Sequence, residues 1–186
     1  MDCDVPVIWS LLWHGRMARN KDIWEHFRTQ NKNVLVIEVG GIKRNTTWKV
    51  GLNGVNRKAN FGTTDNNDSR AKQFNINLKP WRQNGEHILI CLQHDKSEQW
   101  KDQPALDQYV RNTVTEIRKY TDRKIIIHNK FSKEPLQLLL NNAWAFVSLQ
   151  STAGFMAMLN GVPSFFTDET LKHIGKIKDI EKPIIN

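Results

Sequence analysis

The sequence predicts an α/β protein of two small halves, each built on a mostly parallel sheet. Three observations carry that expectation. Short apolar runs rich in branched residues recur along the chain. Segments with helical apolar spacing separate them. Gly, Asn and Asp punctuate the junctions. A chain of 186 residues is long enough to bury such cores without metal or disulfide staples.

The run Val5-Pro6-Val7-Ile8-Trp9-Ser10-Leu11-Leu12-Trp13 predicts a strand buried on both faces, ending at His14-Gly15-Arg16. Ile23, Trp24 and Phe27 then recur at helical spacing behind the cap residue Asn20, and Asn31-Lys32-Asn33 closes that helix. Val34-Leu35-Val36-Ile37 is the next strand, followed by Glu38 and Gly40-Gly41. Strand, helix and strand in about thirty residues form a βαβ unit, which implies parallel pairing. From Ile42 to Gly62 the pattern shortens, with Thr46 to Leu52 alternating and Asn53-Gly54 as a turn signal. Residues 66–85 read as a connector, so the halves are expected at 1–80 and 81–186.

The second half opens with His87-Ile88-Leu89-Ile90-Cys91-Leu92, a buried strand. Leu106, Val110, Val114 and Ile117 place a helix between Asp102 and Tyr120. Lys124 to His128 is a strand, Pro135 to Asn142 a short helix, and Ala145 to Ser148 a strand. Gln150-Ser151-Thr152-Ala153-Gly154 opens a helix that stops at Asn160-Gly161, and Val162 to Phe166 returns to strand. This alternation predicts a doubly wound, Rossmann-like arrangement.

Composition bounds the function. The net charge of +8 favours polyanionic partners: nucleic acid, acidic headgroups or phosphorylated small molecules. No apolar stretch reaches the roughly 20 residues of a membrane span, and Met1-Asp2-Cys3-Asp4 is unlike a signal peptide, so a cytoplasmic protein is expected. Cys91 lies inside an apolar run without metal-ligand spacing around it. Walker, G-x-G-x-x-G, H-E-x-x-H and zinc-knuckle patterns do not occur, which removes support for kinase, dehydrogenase and zinc-hydrolase readings.

Ligands of open α/β sheets bind at the carboxyl ends of the strands. Four such ends carry chemistry: Trp13-His14-Gly15-Arg16, Glu38-Val39-Gly40-Gly41, Gln93-His94-Asp95 and Ser148-Leu149-Gln150-Ser151-Thr152. The last offers amides, hydroxyls and a helix dipole to a phosphate, or simply a helix cap. His128 and Lys130 can stabilise a diphosphate leaving group, or lie in a plain polar loop. Glu38 can accept a proton from an acceptor hydroxyl, with Lys43, Arg44 and Lys49 near it in sequence to neutralise acidic groups, or it can anchor a loop. Trp9 and Trp13 are expected in the core, whereas Trp48 and Trp81 sit where sugars or bases stack.

Ala143 to Gly154, followed by Leu159-Asn160-Gly161-Val162-Pro163-Ser164-Phe165, resembles the donor half of capsule-polysaccharide glycosyltransferases of the GT-B type, the Kdo-transferase-like group. Val36 to Arg44 is similar to the acidic, glycine-containing loop of their acceptor half, and the chain looks most like their shortened bacteriophage relatives. The resemblance implies a nucleotide-sugar donor, no other cofactor and no metal. It implies donor contacts from His128, Lys130, Ser148, Gln150, Ser151, Thr152 and Gly154, with Glu38 as base. Acceptor contacts are expected from His14, Arg16, Gly40, Gly41, Lys43, Arg44 and Asn53, the acceptor being a glycan or a modified base of phage DNA in the host cytoplasm. Val39 stands where the family has Asp, His128-Asn129 where it has His-Pro, and Phe155-Met156 near its ribose carboxylate. Members of that family continue into C-terminal helices that cross back to the first half, so a truncated or naturally minimal chain without them is expected. The alternative is a binding module that holds DNA or a glycan on a degenerate form of the fold.

Overall fold

A computed structural model of the chain describes residues 3–42, 45–56, 59–60 and 67–182. It is a mixed α/β structure that divides into two compact units, Met1–Arg70 with His94–Lys101, and Ala71–Gln93 with Asp102–Asn186.

In the first unit, β1 (Val7–Trp9) pairs in parallel with β2 (Leu35–Val39), and β2 pairs antiparallel with β3 (Trp48–Leu52). The helix α1 (Asn20–Thr29) makes the parallel crossover, with Asn31 in the left-handed region at its end. Ile8 and Val36 point to α1 and close a core with Leu11, Phe27, Val34 and Val55. The first strand is shorter than the apolar run that encodes it, because Ser10 takes a positive φ of 68° and breaks the extended path. It is also buried on one face rather than two. Val7 is 58% exposed and Trp9 37%, so Trp9 lies outside the core expected for it. Register sets Trp9 beside Ile37, Ile37 beside Val50 and Val39 beside Trp48. The second face is therefore apolar too, and Trp48 stands on that sheet surface rather than in a polar loop.

The second unit holds a four-stranded sheet in the order β5-β4-β6-β7, every pair parallel. Its strands are β4 (His87–Cys91), β5 (Lys124–His128), β6 (Ala143–Ser148) and β7 (Ser164–Phe166). Ile88 and Ile90 face α3 (Leu106–Arg118) through Ile117, whereas Leu89 and Cys91 face α4 (Leu136–Asn141) and α5 (Thr152–Leu159) through Leu139, Leu140 and Ala157. Helices thus flank both faces, which is why β4 is apolar at every position except its first. A five-residue helix, α2 (Ser69–Gln73), precedes this sheet. The segment expected as a connector packs onto the second unit: the Arg82 guanidinium donates to the Leu140 and Asn141 carbonyls. The last described residues are held likewise. Arg123 pairs with Glu181 at 2.8 Å and stacks on Trp144, whose indole donates to the Ile180 carbonyl.

His87 opens β4 at 4% exposure, its Nε2 buried and without a hydrogen-bond partner among the described residues. Burial holds this imidazole below the ordinary histidine range, against a raising hydrogen bond that the ring donates to the Leu139 backbone. The unfolded chain therefore takes the proton first as pH falls, and stability declines from about pH 6.5 downward. Urea midpoints are expected to drop between about pH 7 and about pH 5. His87→Leu is expected to flatten that slope while costing stability at every pH; an unchanged slope would contradict the assignment.

Candidate functional site

The strand order creates a topological switch point. From β4 the chain moves to one side for β5 and returns past β4 for β6, so the connections that leave the carboxyl ends of β4 and β6 run to opposite faces of the sheet. The turn Ser148 to Thr152 leaves β6 at that place. Ser148 is fully buried and its Oγ accepts the Ser151 N–H at 3.1 Å. Ser151 caps α5, its Oγ accepting the Ala153 N–H at 3.2 Å. The Gln150 N–H donates to Gln93 Oε1 at 2.9 Å, across from the end of β4. The amides of Gln150, Ser151 and Ala153 thus already donate to side-chain oxygens. Cys91 lies under the turn, its thiol pushed up to about 11 by burial, with a partly offsetting hydrogen bond to Ser151.

Gly154 sits in the first turn of α5 for packing rather than for ligand approach. A Cβ there would meet the Phe166 ring at 2.6 Å and Phe146 at 3.3 Å. Gly154→Ala is expected to cost about 1–3 kcal/mol by overpacking, read as a lower urea midpoint with an unchanged slope.

His128 ends β5, beside Cys91 in register and so at the same sheet edge as the turn. Its Nε2–H donates to the Glu134 carbonyl at 3.1 Å, and its Nδ1 is buried without a partner among the described residues. Lys130 lies in the exposed loop beyond, its ammonium 4.8 Å from the Phe131 ring centre. Sequence reasoning passed over two side chains here. Gln93 was visible only as a polar strand end, and its reach to the turn depends on strand order. Asp168, 4% exposed just after β7, accepts the Thr170 N–H and hydroxyl; the strand-then-Asp-x-Thr pattern was a readable signal.

In the first unit, Glu38 is the next-to-last residue of β2, at the same end of the sheet as Ser10. Ser10 Oγ donates to Glu38 Oε2 at 2.7 Å, and the Val39 N–H donates to Glu38 Oε1 at 2.9 Å. Lys49, the register partner of Glu38, donates to Asn56 Oδ1 at 2.9 Å. Burial pulls its ammonium below the usual lysine range, and the Glu38 charge opposes that shift. The positive φ of Ser10 is a strained conformation for a residue with a side chain, fixed by its bonds to Glu38 and to the Leu12 N–H.

The other acceptor candidates are dispersed. His14 follows β1, its ring 5.3 Å from His94, which pairs with Asp95 at 3.0 Å. Arg16 is exposed in a 3-10 turn. Gly40 is required by backbone approach, since a Cβ would meet the Thr47 carbonyl oxygen at 2.3 Å, and Gly41 follows in a bend. Asn53 lies at the opposite end of β2 from Glu38, bonded to Val34 and Asn33. Lys43 and Arg44 lie outside the described residues.

Among the described residues no group of three or more His, Cys, Asp or Glu side chains could hold a metal ion, and no helix is long and apolar enough to cross a membrane. No protein-family model and no curated protein matches the chain.

Proposed function

We propose that the chain transfers a sugar from a nucleotide-sugar donor to an acceptor hydroxyl, its two units serving as the acceptor-side and donor-side halves of a GT-B enzyme. The observation that carries this reading is the location of the Ser148 to Thr152 turn at the switch point, where α/β sheets bind ligands. The donor diphosphate would take up the Gln150 amide, in exchange for the Gln93 side chain, and the positive end of α5. His128 and Lys130 would offset leaving-group charge, and Glu38 would take the acceptor proton.

Titration with uridine, cytidine and guanosine sugars tests the donor step. Binding is expected, weakened about tenfold by Ser151→Ala through the lost cap and hydroxyl. No binding of any of the three overturns the reading.

One observation favours a second reading. Both Glu38 oxygens already accept hydrogen bonds inside the first unit, as a structural anchor would, and the side chain of Val39 leaves no carboxylate at the next position. A binding module for DNA or an acidic glycan then remains. It predicts no sugar transfer and a DNA affinity that falls steeply with salt.

A further inference from the structure

The two sheets differ in how they are covered. Helices lie on both faces of the second, whereas the core of the first unit forms on the α1 side of its sheet. Alternate residues of β1, β2 and β3 point the other way, and every one of them is apolar. Register aligns them in rows, with Trp9, Ile37 and Val50 in one and Val39 and Trp48 in the next. Trp48 remains 55% exposed and Val50 48%, beside the open Val7 and Trp9.

We propose that this face is where two copies of the chain associate, sheet against sheet. Its area suits that occupant. The outward residues leave about 600 Å² of accessible surface open, the upper end of what a monomer's largest apolar patch usually shows. Covering that surface on two copies buries about 1,200 Å², enough for a specific contact at the small end of the stable range.

Charge selects the same partner. The chain carries +8 and meets polyanions through its lysines and arginines. None of the outward residues is ionisable, and the indole N–H groups of Trp9 and Trp48 are their only polar side-chain atoms. Nucleic acid and acidic glycans find no counter-charge there. Two copies of a basic chain meet with least repulsion where neither carries charge. Glu38 and its register partner Lys49 alternate to the opposite face, so the contact leaves them free of it.

Twisted sheets stack about 10 Å apart with their strands within about 30° of each other. A two-fold axis along β2 sets Trp9 of each copy over Val50 of the other, a large side chain on a small one. Such a contact uses the same patch on both copies, so it closes as a dimer.

Sedimentation velocity from about 1 μM to about 500 μM tests this, and a monomer–dimer equilibrium with a micromolar Kd is expected. Trp48→Glu is expected to weaken the dimer about tenfold or more, and Val7→Lys on the other outer strand likewise, because each puts a charge into an apolar contact. Leu138→Glu, a comparably exposed apolar position on α4, is expected to leave it within about twofold. Urea midpoints measured below the dimer Kd are expected to match the parent's for all three, which establishes that they fold. Raising salt from about 0.05 M to about 0.5 M is expected to tighten the dimer by screening the repulsion between basic chains. A chain that stays monomeric throughout overturns the proposal, as does a dimer indifferent to both sheet variants or one that salt dissociates. A monomer whose tryptophan fluorescence is quenched by oligothymidylate also overturns it and makes the face a base-stacking platform.

Discussion

Glu38→Gln is expected to lower sugar transfer by about 10²–10⁴-fold while leaving donor affinity unchanged, the size of effect a positioned general base supplies. The amide keeps the shape of the side chain and removes its capacity to take a proton. It also has a single acceptor oxygen for two donors, the Ser10 hydroxyl and the Val39 N–H, so about 1–3 kcal/mol of stability is expected to go with it. The two effects separate by measurement. Donor titration and a urea curve report the fold, and initial rates at saturating donor report the chemistry. A variant that loses stability but keeps its rate makes Glu38 an anchor and leaves sugar transfer without this base. Lys49 provides a further readout. Removing the Glu38 charge takes away a contribution that raises its pKa, so its amine is expected to react faster with acylating reagents near neutral pH.

The second large effect is expected from Phe146→Ala. This side chain has no exposed surface and packs with Leu89, Leu140 and Ala157 between β6 and the helices α4 and α5. Truncation removes a ring from a close-packed interior that relaxes only in part, at a cost of about 3–5 kcal/mol. Against a total stability of about 5–15 kcal/mol for a domain, that is enough to populate the unfolded second unit under mild denaturation. Val50→Thr on the exposed face of the first sheet is the matched control, expected to stay within about 0.5 kcal/mol. Should the two variants cost the same, the division between buried and open sheet faces described here is wrong.

Much of the secondary structure was legible because its signals are local. The α3 helix follows from Val114 and Ile117 at helical spacing, β4 from an unbroken apolar run, and the stop of α5 from Asn160-Gly161. The first strand shows where local signals mislead. Apolar residues on both faces of β1 predicted double burial, yet hydrophobicity records what a side chain tolerates and not whether an element arrives to cover it. The glycines mislead similarly. Gly40 and Gly154 were expected to admit a ligand, whereas a carbonyl oxygen and an aromatic ring occupy the space their missing Cβ atoms leave.

By itself, then, the amino-acid order determined the alternation of strand and helix, the basic surface and the capped Ser148 to Thr152 turn, because each depends on neighbours within a few residues. Tertiary structure alone decided that β6 lies beside β4, that Gln93 reaches the Gln150 amide and that Asn53 is set apart from Glu38. Those outcomes join residues up to 57 positions apart, and pairings at that range are chosen by how whole faces pack.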